Sequence, residues 1–227
     1  MKTTNEHQKY YNSIGEEIPS VTTVLKLLNP NLDGWANYMG LKGINTKLYV
    51  QQKADRGSYI HSICDKFFRG ELPGDLIEFD VDEDFLSHED FLVLHNKLVI
   101  LKELFHRRGF EYHSSELSLT SDRYGGTIDL VFRNESTNEY IIADFKTSKK
   151  AYSKYFIQLA GYTSLFRIHH GFNVKAVCII LIDKSVTDKD FITIRQVEKN
   201  EYNIAIFNDL LNIYYSMTDE ERRFYFE

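Results

Sequence analysis

The chain has 227 residues, 43% of them hydrophobic, and a formal net charge of -6. That size suits one sizeable domain, and the acidic balance argues mildly against a protein that coats nucleic acid. Two cysteines cannot build a disulfide framework or a four-cysteine metal cluster, so any metal site has to use oxygen and nitrogen ligands.

Residues 1–8 lack the apolar run of a secretion signal, and no stretch approaches the ~20 apolar residues of a membrane span. A cytoplasmic location is the expectation. Residues 7–19 read as a short hairpin around a turn-rich stretch beginning at Asn12. Ser20 can cap a short helix over residues 21–28, which Asn29-Pro30 ends. Trp35, the only tryptophan, opens a helical region reaching about Gln52, with breaks at Gly40 and Gly43, and is expected to be a packing anchor. The next helix, about residues 54–68, closes at Gly70 and sets Gly57 and His61 one turn apart on one face. A glycine there admits a close neighbour, and Cys64 reads as core.

The acidic stretch 75–90 reads as a solvated loop or helix entrance. A long amphipathic helix over 85–108 follows, with Phe91, Leu94, Leu98, Leu101 and Phe105 on its apolar face. Residues 110–119, 126–133 and 140–147 form a meander of three antiparallel strands. A helix over 153–169 comes next, with Gln158 and Tyr162 at i and i+4. The apolar run 174–182 reads as a buried strand. A strand over 191–197 and a helix over 200–217 complete the chain. This order predicts a mixed sheet between helix layers. Residues 1–53 are expected to pack as a hairpin and helical region on a core of residues 54–227, one compact domain overall.

Two of the strands carry an acid where an apolar residue would be cheaper. Asp129 follows Gly126-Thr127-Ile128, and Asp144 follows Ile141-Ile142-Ala143. An ionised carboxylate near a core is costly unless it is paired or binds a cation. Lys146, two residues beyond Asp144, points to the same side of its strand. Two acids with a lysine beside one of them suggest a metal site for phosphate chemistry. Asp-x-Lys alone is a weak signal, and its plain reading is a structural ion pair.

The order of signals is more specific. A Gly-x-x-x-His helix, a Gly-x-Ile-Asp strand, an Asp-x-Lys strand and a Gln-x-x-x-Tyr helix follow one another. This combination resembles the PD-(D/E)xK nuclease superfamily, in its RecB-like exonuclease branch, from about Arg56 to Val186. The Pro19-Ser20-Val21-Thr22 segment resembles the mitochondrial and phage members more loosely. The resemblance implies an α/β, restriction-endonuclease-like three-layer core, with helix, three antiparallel strands, helix and strand. It implies a DNA exonuclease acting on single-stranded or double-stranded ends in replication, recombination or repair, with a phage or prophage gene among its sources. An endonuclease on the same core, and a catalytically silent nucleic-acid-binding subunit, are the alternatives. Some members carry a four-cysteine iron–sulfur cluster; with two cysteines, none is expected here.

The resemblance assigns His61, Asp129, Asp144 and the Phe145 carbonyl to the metal. Lys146 becomes the catalytic lysine, and Gln158 the residue that orients the site. Tyr162 abuts the site or the DNA, and Glu116 matches a first-strand glutamate. Hard oxygen ligands suit Mg²⁺ or Mn²⁺, with histidine favouring Mn²⁺ somewhat. A lysine next to a metal in such a cleft can have a lowered pKa. Arg56, Arg123, Tyr124, Lys149 and Lys150 are candidate DNA contacts, each otherwise an ordinary solvated side chain.

Overall fold

The computed structural model describes residues 8–29, 32–171, 173–182, 192–197 and 200–226. Pro30, Phe191 and residues 183–186 therefore lie outside the described residues. The described chain opens with a two-stranded hairpin, β1 (Tyr10–Tyr11) and β2 (Glu17–Ile18), whose turn is closed by Gly15 at φ 83. Helix α1 (Val21–Val24) begins at Ser20, whose hydroxyl accepts from the Thr23 amide, and passes into a 3-10 turn at Leu25–Leu28. The expected single helix is thus two short pieces.

Helices α2 (Asp33–Leu41) and α3 (Thr46–Arg69) depart further from expectation. Gly40 lies inside α2, and only the Gly43 region breaks the chain. The helical stretch expected up to Gln52 and the helix expected from about Ala54 are one element, α3, whose start Asn45 caps by accepting from the Leu48 amide at 3.1 Å. Trp35 is not a packing anchor. It is 36% exposed and leans on Tyr49, because α2 buries Met39 toward the protein instead.

After the acidic loop comes α4 (His88–His106), capped by Ser87, and then the sheet. Its strands are β3 (Glu111–Thr120), β4 (Gly125–Asn134), β5 (Glu139–Lys146), β6 (Val174–Ile182) and β7 (Ile192–Val197). They lie in the order β3-β4-β5-β6-β7, with only β5 and β6 parallel. Helix α5 (Ser153–His170) makes the crossover that a parallel pair requires. Helices α6 (Glu201–Ser216) and α7 (Asp219–Phe226) end the described chain.

Both faces of the sheet are buried, which makes three layers. On one face Ile142, Val177 and Ile179 pack against Val21, Leu159, Leu165 and Phe207 from α1, α5 and α6. On the other, Phe132, Phe145 and Ile180 pack against Ile60, Phe68, Leu98 and Phe105 from α3 and α4. Phe105 and Phe132 stack at 4.1 Å. This double burial explains why 174–182 is apolar at nearly every position. Among the described residues, no helix is long and apolar enough to cross a membrane.

Candidate functional site

The sheet forks at its two acids. Strands β4 and β5 pair from Asn134 and Glu139 up to Leu130 and Ala143, one step short of Asp129 and Asp144. Beyond that point β4 stays with β3 as far as Gly125, and β5 stays with β6 as far as Lys146. In place of a ladder bond, the Phe145 amide donates to Asp129 Oδ2 at 2.9 Å. The carboxylate of one strand thus props open the other.

Asp144 is 1% exposed. Its Oδ1 accepts from Gln158 Nε2 at 3.2 Å, and the same amide donates to the Tyr162 hydroxyl at 2.9 Å. Helix α5 therefore fixes the carboxylate through Gln158, with Tyr162 one turn further on. Lys146 Nζ lies 2.5 Å from the buried Asp144 Oδ2 and is its ion-pair partner. Burial pushes the Asp144 carboxyl up to about 7, with Lys146 opposing the shift and Asp129 adding to it. Burial also disfavours the Lys146 ammonium, but the charges of Asp144 and Asp129 outweigh it and raise the lysine pKa. In the metal-free chain, two carboxylates hold the proton on this lysine.

His61 reaches the fork from α3, with Nδ1 3.3 Å from Asp129 Oδ2. Burial lowers its pKa against the pull of Asp129, which favours the neutral imidazole that a metal requires. Gly57, one turn earlier, faces Thr147; an added Cβ would sit 3.4 Å from the threonine hydroxyl, an ordinary contact. Glu116 stands across β3 from Asp129, since its neighbours Ser115 and Leu117 pair with Leu130 and Ile128. Its backbone is left-handed at φ 47, a conformation that costs a non-glycine residue on the order of 1 kcal/mol or more. Partial burial, with the carboxylates of Asp129 and Asp65 behind it, pushes the Glu116 carboxyl up to about 7.

Close packing holds the fork open. A Cβ on Gly126 would lie 2.6 Å from Cε1 of Tyr162, and one on Gly125 would lie 2.4 Å from the Tyr10 ring. Gly126→Ala is therefore expected to displace a buried ring that has nowhere to move. A cost of about 1–3 kcal/mol should appear as a lower denaturant midpoint, as the Tyr162–Gln158–Asp144 chain shifts.

The expected DNA contacts separate into two groups. Lys149 and Lys150 are exposed just past the end of β5. Arg56 instead donates from Nε to the Phe85 carbonyl at 2.8 Å, which directs it to the loop before α4. Arg123 lies between β3 and β4, bonds Asn212 at 3.0 Å and covers the Tyr215 ring. Tyr124 is corrected outright: it is 5% exposed, packs on Phe207 and donates to the Gly161 carbonyl, so its ring has no face to offer a base. Tyr162 is equally buried, with its hydroxyl accepting from Gln158, so its ring has no open face either.

Tyr10 and Tyr155 were not singled out by sequence. The Tyr10 hydroxyl meets Thr127 Oγ1 at 2.9 Å beside the fork, and the Tyr155 ring faces the Lys146 ammonium at 5.2 Å. The signal for Tyr155 was its i, i+3 spacing to Gln158 on one helix face.

The donor chemistry of the fork fits a divalent cation. Asp144 offers a buried carboxylate, Asp129 a second one, and His61 a neutral ring. The set is not a finished cage: among the described residues, no three His, Cys, Asp or Glu side chains are grouped closely enough to hold a metal. The physical reason lies in the contacts already described. Lys146 neutralises the Asp144 oxygen, and the Phe145 amide and His61 both engage Asp129 Oδ2.

No protein-family model and no curated protein matches this sequence. Among solved structures, the alkaline exonuclease of Laribacter hongkongensis in complex with dAMP is similar at TM-score 0.43 and 11% identity, covering 91% of this chain and 90% of that one. A second structure of that exonuclease aligns at TM-score 0.38 and 10% identity, over 57% of this chain and 69% of that one. A structure from Eubacterium rectale aligns at TM-score 0.43 and 14% identity, over 71% of this chain and 65% of that one.

Proposed function

We propose that the chain is a divalent-metal-dependent DNA exonuclease of the PD-(D/E)xK superfamily. One observation carries the reading: Asp129, Asp144, Lys146 and His61 converge where the sheet splits. Asp129, Asp144, His61 and the Phe145 carbonyl would hold Mg²⁺ or Mn²⁺. Such an ion acidifies a bound water and stabilises charge on phosphoryl oxygens. Lys146, kept protonated by its carboxylates, orients the attacking water and offsets charge on the phosphate. Gln158 keeps Asp144 aimed into the fork, and Glu116, across from Asp129, is placed to hold a proton at the rim.

End-labelled linear DNA and covalently closed circular DNA, incubated with Mg²⁺ or Mn²⁺, test this. The linear substrate should be degraded, the circle should survive, and excess EDTA should stop the reaction. Cutting of the circle would make the protein an endonuclease, and inertness toward both would make it a silent binding subunit.

A further inference from the structure

The register of the sheet carries charge beyond the fork. Asp144 pairs with Ile179 on β6, and Ile179 pairs with Arg195 on β7. One step along, Lys146 pairs with Leu181, and Leu181 with Thr193. Residues paired side by side project from the same face of a sheet. Asp144, Lys146, Thr193 and Arg195 therefore share the face covered by α5, with β7 about 10 Å from β5.

On that face, Lys149, Lys150 and Arg195 line one cavity of about 310 Å³ with Thr193 and Phe156. The lysines arrive as the chain leaves β5, and the arginine comes from the edge strand. Among the described residues, no ion pair involves any of these three cations. Helix α5 starts beside them. Its N-cap is Tyr152, whose side chain makes no capping bond, so the positive end of an 18-residue helix adds to the same field. In a chain of net charge -6, this cavity is a local reversal that would attract an anion.

We propose that this cavity is a second phosphate subsite, binding a backbone phosphate of the DNA strand whose neighbouring phosphate lies at Lys146. Arg195 supplies the paired donors that suit a phosphate, Lys149 and Lys150 supply charge, and Thr193 supplies a hydroxyl. Its role is to hold the strand across the fork. The assignment rests on the nuclease reading for the identity of the strand.

Fluorescence anisotropy of labelled single-stranded DNA across a salt series, in EDTA so that nothing is cleaved, tests it. Arg195→Gln removes an exposed side chain, so the fold should survive, and Lys149→Gln with Lys150→Gln removes the other two charges. The slope of log affinity against log salt should drop by about 0.7 for each phosphate no longer neutralised, and Arg195→Lys should recover part of the affinity. Wild-type affinity and slope in both Arg195→Gln and the lysine double variant would overturn the subsite, and cleavage by the wild type would still stand. An Arg195-dependent slope in a wild-type protein that cleaves nothing would overturn the nuclease reading and keep the subsite. Failure of the wild type to bind DNA would overturn both.

Discussion

Replacing Lys146 by Gln is expected to lower the cleavage rate by about 10²- to 10⁴-fold, the range that one positioned catalytic group contributes. The substitution keeps most of the side-chain volume and removes only the charge. Lys146 stands 2.5 Å from Asp144 and faces Tyr155, with 19% of its side chain exposed, so its charge is held at a fixed point in the fork. A purely structural ion pair makes a different prediction. Lys146→Gln would then lower stability while the folded fraction kept its turnover. Single-turnover cleavage with melting curves on the same samples separates the two. Full activity per folded molecule in Lys146→Gln would remove lysine from the chemistry.

In metal-free solution, wild type should lose stability relative to Asp144→Asn as pH rises from about 4 to about 7. The folded carboxyl sits at about 7, whereas an unfolded aspartate sits near 3.9. Between those values the native state binds a proton that the unfolded chain has released, so stability falls with rising pH. The contribution is present in full below the unfolded pKa and is lost as pH climbs through the folded one. Three pH units of separation correspond to a swing on the order of 4 kcal/mol. Glu116, also raised, acts in the same direction in each protein, but it is common to both and largely drops out of the difference. Acids such as Glu103 and Glu139, whose pKa values are lowered by Arg107 and Lys175, act oppositely; both are common to the two proteins, so their effect cancels in the difference. Guanidinium midpoints in EDTA across this range give that difference. Parallel curves for the two proteins would mean that Asp144 is not raised by burial.

The central sheet was legible because its residues answer to local rules. The apolar run 174–182 coincides with β6, and the 153–169 periodicity with α5 to within one residue. Alternation in a strand also sufficed to place Asp144 and Lys146 on one side. What escaped depends on contacts distant in sequence. Helix α3 joins the helical stretch expected up to Gln52 to the helix expected from about residue 54, and no side chain over residues 46–53 is buried, so no apolar stripe announced that continuity. Helix α7 was missed for a similar reason, although Thr218-Asp219-Glu220-Glu221 is a capping box whose two ends bond reciprocally. Tyr124 looked like a loop aromatic because nothing near it in sequence predicts the approach of Phe207 from α6. The fork itself was invisible. Each strand reads as regular, and only their separation one step beyond Leu130 and Ala143 turns two misplaced acids into a shared site.

The claim that this fork holds a divalent cation is tested most directly by Mn²⁺ binding, read by electron paramagnetic resonance in the presence of DNA whose phosphodiester bonds resist hydrolysis. Wild type should take up Mn²⁺ and broaden its signal, and Asp129→Asn with Asp144→Asn should leave the ion free at the same concentrations. Equal uptake by the double variant, or none by the wild type, would contradict the account.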